Sequence, residues 1–184
     1  MRIKIILLIF IVGMTNASFS VANQTGDIFF QNGDFQQAIK HWETNLSKFD
    51  NQVSQRIDIL TKLAAAYQAI GKHSQVFNLL TEAASLAKQN SDTERSAIVL
   101  SQLSDAWLSV GDVEEALVLA DDSLADAKGT KKASILARAN NSQGNALAIL
   151  EHYPESVTAY QNSISFAKQA NDSNLAIKVS INLL

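Results

Sequence analysis

Cysteine is absent from this chain of 184 residues. Its absence excludes a disulfide framework, a Cys-ligated zinc, a thiolate nucleophile and an acylated cysteine anchor. Packing and hydrogen bonding alone must hold the fold. Proline occurs once, as Pro154, so no proline-rich linker divides the chain. Basic clusters are scarce too. The densest, Lys128, Lys131 and Lys132, reads as a solvated inter-helix loop and is too small for the grouped phosphate neutralisation that nucleic acids require. The histidines His41, His73 and His152 belong to no H-E-x-x-H motif, and neither G-x-S-x-G nor a Walker sequence occurs. The adjacent acids Glu114–Glu115 and Asp121–Asp122 would diverge on a helix, without the spacing of calcium or zinc ligands. The expectation is a protein that is not an enzyme and carries neither cofactor nor metal.

What is present begins with a strong address. Arg2 and Lys4 precede an apolar run from Ile5 to Met14, followed by small and polar residues through Ala22. This is the order of a secretory signal peptide. The run is shorter than the roughly 20 apolar residues that a bilayer span needs. Cleavage fits after Ala17 or after Ala22, the second leaving Asn23 just ahead of the first structural signal. Residues 1–22 are expected to direct the remainder, 23–184, to the periplasm or the exterior. Loss of Arg2 and Lys4 would take the formal net charge from −3 to −5.

Within 23–184 the glycines set a rhythm. The turns Asn32-Gly33-Asp34-Phe35, Gly71-Lys72-His73-Ser74 and Gly111-Asp112-Val113-Glu114 place glycines 38 and 40 residues apart. A further 40 residues on stands Glu151-His152-Tyr153-Pro154, a fourth turn with its glycine replaced. Apolar residues at helical spacing flank each turn, as in Ile59, Leu60, Leu63, Ala64 and Tyr67 before Gly71 and Val76, Leu79, Leu80 and Ala83 after it. The pattern predicts helix, tight turn and helix, four times over. The repeats run about 23–50, 53–90, 92–128 and 131–170, with a partial fifth over 173–184 that stops before its aromatic position.

Aligned on the turns, the repeats read Gly26, Phe29, Gly33, Ala38, Trp42, Asn45; Ala64, Tyr67, Gly71, Val76, Leu80, Ala83; Ser104, Trp107, Gly111, Ala116, Ala120, Ser123; and Gly144, Leu147, Glu151, Ser156, Tyr160, Ser163. This order of small, aromatic, glycine, small, aromatic and small residues resembles the tetratricopeptide repeat. The resemblance implies an all-α, right-handed superhelical solenoid. Small residues would lie where paired helices cross closely, aromatics beside them, and glycine would end the first helix in a left-handed conformation. Two departures stand out: the period is near 40 instead of about 34, and Lys88, Lys128 and Lys168 occupy the place of the usual proline. Longer helices and a longer connection, including Ser85 to Asn90, are expected to absorb the extra residues, with Gly129 in a loop.

The same resemblance assigns a concave face. Its positions are Asp58, Thr61, Ala65 and Gln68, then Ile98, Ser101, Asp105 and Leu108, then Arg138, Asn141, Asn145 and Ala148. The expected partner-binding set is Thr61, Gln68, Ser101, Asp105, Arg138, Asn141 and Asn145, where amides would bond an extended peptide and Arg138 a carboxylate. The competing reading is the plain polar face of an amphipathic helix. Asn141 and Asn145, one turn apart, form the strongest pair, and Asn145→Ala would then leave stability nearly intact and affect binding only. The stretch Ala137 to Asn145 resembles an asparagine-rich subtype found in kinesin light chains, cell-polarity adaptors and exported bacterial TPR–CHAT proteins. The expected function is an exported scaffold binding a peptide or partner protein, with self-association through the C-terminal end as a further option. The TPR–CHAT resemblance implies the alternative of a recognition region in a larger caspase-like peptidase.

Overall fold

The computed structural model describes residues 24–183; the signal-like segment 1–22 lies outside them. From Gly71 onward the backbone turns left-handed once every 20 residues, at Gly71, Ser91, Gly111, Lys131, Glu151 and Asn171. Each such residue ends one helix. Three of them, Ser91, Gly111 and Asn171, are followed by an aspartate whose carboxylate accepts the backbone N–H of Arg95, Glu115 or Leu175 and so starts the next helix. At all of them but Lys131 the backbone closes the turn in one way: the N–H just past the left-handed residue bonds the carbonyl five residues back, as in His152 to Leu147 at 2.9 Å and Asp172 to Ala167 at 2.9 Å, while the Lys132 N–H takes the Thr130 hydroxyl at 3.2 Å.

The helices so delimited are α1 over 24–31, α2 Phe35–Leu46, α3 Val53–Ala69, α4 His73–Gln89, α5 Thr93–Val110, α6 Val113–Thr130, α7 Ala133–Ile149, α8 Tyr153–Gln169 and α9 Ser173–Ile181. No strand occurs among the described residues. Each helix from α2 onward packs on its successor. In addition α3 packs on α5 and α5 on α7, whereas no comparable packing joins α4 to α6 or α6 to α8. The odd-numbered helices therefore line the inside of the curve.

Two expectations are corrected here. The connection between α4 and α5 is no longer than the turns, because Ser85 to Gln89 are helical and Ala87 is fully buried on the apolar face. Gly129 and Lys128 belong to the last turn of α6, not to a loop; the lysine there suits the negative end of the helix dipole. The residues beyond the familiar period lengthen the helices alone.

Across each hairpin, residues 16 apart compensate in size. A Cβ built on Gly26 would run into the Trp42 ring, and one on Gly144 would meet the Tyr160 ring at 2.7 Å. In the two central repeats the same positions hold Ala64 with Leu80 and Ser104 with Ala120, all fully buried. The smaller the residue on the first helix, the larger the one on the second.

Different bonds tie the two halves. In the N-terminal half they are ionic: Lys62 on α3 pairs with Asp27 on α1 at 2.7 Å, Arg56 with Glu82, and Arg95 on α5 forks onto both oxygens of Asp58 on α3 at 2.7 and 2.9 Å. The last of the series joins Lys132 to Glu94 at 2.6 Å. In the C-terminal half, buried serines donate to backbone carbonyls of neighbouring helices. Ser123 reaches Ala97 at 2.8 Å, Ser163 reaches Ala137 at 2.7 Å, and Ser104 reaches Ala116 at 2.8 Å. Repeat four inverts the last of these, with Ser156 donating to Gly144 at 3.0 Å. On α9, Ile177 and Ile181 stand 63% exposed, although their counterparts one repeat back, Ala137 and Asn141, are buried.

Candidate binding groove

The 40-residue register stacks polar side chains of α5, α7 and α9 on the inside of the curve. They enclose a cleft of about 410 Å³ whose lining includes Ser101, Gln102, Asp105, Arg138, Asn141 and Lys178. Four of the expected residues, Ser101, Asp105, Arg138 and Asn141, thus meet in one place. Gln102, Ser142 and Lys178 were not singled out from sequence, yet each has a visible signal. Gln102 and Ser142 are 40 residues apart, one step after Ser101 and Asn141, and Lys178 follows Arg138 by the same interval.

The other expected residues go elsewhere. Thr61 is buried on α3, and its hydroxyl donates to the Asp58 carbonyl at 2.9 Å. The Asp58 carboxylate is taken by Arg95. Gln68 is half-buried near the end of α3 and does not line the cleft. Asn145 is structural: its Oδ1 accepts the Tyr160 hydroxyl at 3.0 Å and the Asn182 amide at 3.3 Å. The expectation that Asn145→Ala leaves stability nearly intact is therefore corrected, since a half-buried hydroxyl would lose its acceptor at a cost of about 1 kcal/mol.

Inside the cleft a relay of hydroxyls reaches an acid. The Ser142 hydroxyl donates to Asp105 Oδ1 at 3.2 Å and lies 2.9 Å from Ser101 Oγ. Having one proton, Ser142 gives it to the carboxylate and accepts from Ser101. Burial pushes the Asp105 carboxyl above its ordinary value, while the Ser142 bond and the charges of Lys178 and Arg138 pull it partly back. Two further acceptors, Gln102 Oε1 and Asn141 Oδ1, are buried without any hydrogen-bond partner, and Asn141 as a whole is 6% exposed. Arg138 and Lys178 are exposed, with no ion-pair partner among the described residues.

A stability consequence follows from Asp105. A carboxyl whose folded pKa is raised binds more protons folded than unfolded, so its contribution is full below the ordinary value and is lost as pH rises through the folded value. Asp105→Asn keeps the acceptor for Ser142 and removes the buried charge. Its melting temperature should exceed that of the wild type at neutral pH, and the gain should vanish as pH falls below the ordinary carboxylate range. A variant less stable than wild type at neutral pH would refute this account.

Among the described residues no cluster of His, Asp and Glu is placed to hold a metal, and no helix is long and apolar enough to cross a membrane. No protein-family model matches the sequence, and no curated protein matches it. Solved structures do match. A Rap protein complexed with Competence and Sporulation Factor superposes with a TM-score of 0.79 at 18% identity, covering 90% of this chain and 47% of that one. BtubC (BKLC) from P. vanneervenii gives 0.69 at 15% identity, covering 83% and 64%. TPR-like repeats of a Podosopora anserina kinesin light chain give 0.66 at 19% identity, covering 87% and 80%. The chain spans about half the length of the Rap protein and under two thirds of BtubC. What is shared is the fold: an all-α superhelical solenoid of tetratricopeptide-like repeats.

Proposed function

We propose that the chain is a protein-interaction scaffold that receives a peptide, or a peptide segment of a partner protein, in the cleft across α5, α7 and α9. The carrying observation is Asn141, buried on the concave side with its amide oxygen unpartnered. A buried polar atom without a partner costs stability, and a bound peptide N–H would supply one. The polar groups of Thr61, Asp58 and Asn145 are engaged within the fold instead. That the matching Rap protein was solved with Competence and Sporulation Factor supports a binding role for a solenoid of this shape. We further propose that the scaffold acts after export, in the periplasm or outside the cell. Protein recovered there should begin at Ser18 or Asn23 by N-terminal sequencing, and an intact Met1 would refute the export reading.

Selection of a displayed random heptapeptide library on the chain from residue 23 onward tests the groove. Peptides should be enriched on the wild type and held about tenfold less well by Asn141→Ala, a change that leaves no new orphan behind. Equal retention by both would place binding elsewhere. Failure to enrich any peptide would refute a peptide-binding groove.

A further inference from the structure

The floor of the cleft holds an excess of acceptors. Asp105 on α5 receives one hydrogen bond, from Ser142, and it falls on Oδ1. Gln102 Oε1, one turn before it, and Asn141 Oδ1, across on α7, receive none. All three side chains line the same cleft, and Asn141 is more than nine-tenths buried. The group that completes such a floor brings several N–H donors and a positive charge. A primary ammonium does so, with three donors on a compact head. A guanidinium fits less well, because its planar fork matches the two oxygens of one carboxylate, whereas these acceptors are spread over three side chains on two helices. Arg95, by contrast, finds both oxygens of Asp58 free and forks onto them.

We infer that this floor is a subsite for a primary ammonium group of the peptide ligand, with Asp105 as counter-charge and the amide oxygens of Gln102 and Asn141 as further acceptors. The inference rests on the groove reading above and deepens it. The charges facing the cleft sum to zero: Asp105 from α5, Arg138 from α7, and Asp172 and Lys178 at α9. Asp172 caps α9 through its bond to the Leu175 N–H, which leaves Asp105 to meet the ligand cation. Arg138 and Lys178 project from exposed positions and suit a carboxylate beside the ammonium. The subsite therefore favours a ligand with a cationic head next to an acidic or C-terminal group.

Three alanine-based pentapeptides distinguish the sources of the ammonium: one N-acetylated with a central lysine, one N-acetylated with a central norleucine, and one with the norleucine and a free N-terminus. Each is titrated into the chain while the side-chain amide resonances of Gln102 and Asn141 are followed. At least one cationic peptide should bind about tenfold or more tightly than the acetylated norleucine peptide, and the stronger of the two names the source. Asp105→Asn should erase that preference while its circular dichroism stays native and its melting temperature does not fall below that of the wild type. Equal binding of the neutral peptide overturns the ammonium subsite and leaves the groove standing. So does silence from all three peptides in a chain that captures library peptides. A chain that captures no library peptide loses the groove and the subsite together.

Discussion

Ala116→Trp should abolish cooperative folding at ambient temperature, with a loss of roughly 4 kcal/mol or more. Ala116 lies in the first turn of α6, fully buried, and its carbonyl accepts the Ser104 hydroxyl at 2.8 Å. Its counterparts Ala38, Val76 and Ser156 are all buried to within 3%, so a buried residue no larger than valine at this crossing is a property of every repeat. An indole there cannot reach solvent without prising α6 from α5, the interface that also carries the Ser123 bond to Ala97. A domain whose whole stability is about 5–15 kcal/mol has little to set against that. In a solenoid each repeat is held only by its neighbours, so a broken central hairpin leaves two short, weakly capped remnants. Thermal melts followed by circular dichroism decide the matter, with Val118→Trp, 55% exposed on the same helix, as the control. If the two variants melt alike, the crossing is not the constraint described.

Gly144→Ala carries the second large effect, and its sign runs against helix propensity. In an exposed helix the change gains roughly 1 kcal/mol. Here the new methyl would sit 2.7 Å from the Tyr160 ring, and overpacking costs about 1–3 kcal/mol, so a net loss of up to about 2 kcal/mol is expected. Tyr160→Leu alone should also cost about 2 kcal/mol, from lost area and the lost hydroxyl bond to Asn145. The double variant rebuilds the Ala64 and Leu80 pair of the second repeat, and it should recover about 1–2 kcal/mol relative to the sum of the singles. A stabilised Gly144→Ala would mean that the ring yields freely and the size pairing is incidental.

Much of this fold is legible in the residues because glycine records a backbone conformation. Gly33, Gly71 and Gly111 all have positive φ, and their spacing alone counts the repeats. Ser91, Lys131, Glu151 and Asn171 adopt the same conformation, but nothing in a serine or lysine announces it. Only the period does. The small residues are legible as small; that Ser104, Ser123, Ser156 and Ser163 also donate across the helix crossings is not, since alanine would satisfy the same size rule. The cleft divides in the same way. Register alone brings Ser101, Asp105, Arg138 and Asn141 together, whereas the engagement of Thr61 and Asn145 by internal bonds depends on partners that only the folded chain places. Gln102 and Ser142 escaped notice because they stand one step off the tetratricopeptide columns.

The uneven distribution of cross-links gives the array a polarity in its response to ionic strength. Every ion pair among the described residues falls between Asp27 and Lys132, and partly exposed pairs weaken as salt screens them. The serine bonds from Ser104 onward are buried and uncharged at both ends, so salt leaves them alone while it strengthens the burial around them. Brine therefore loosens the first repeats and spares the last ones, and the cleft, built on α5, α7 and α9, sits mostly on the side that salt does not reach.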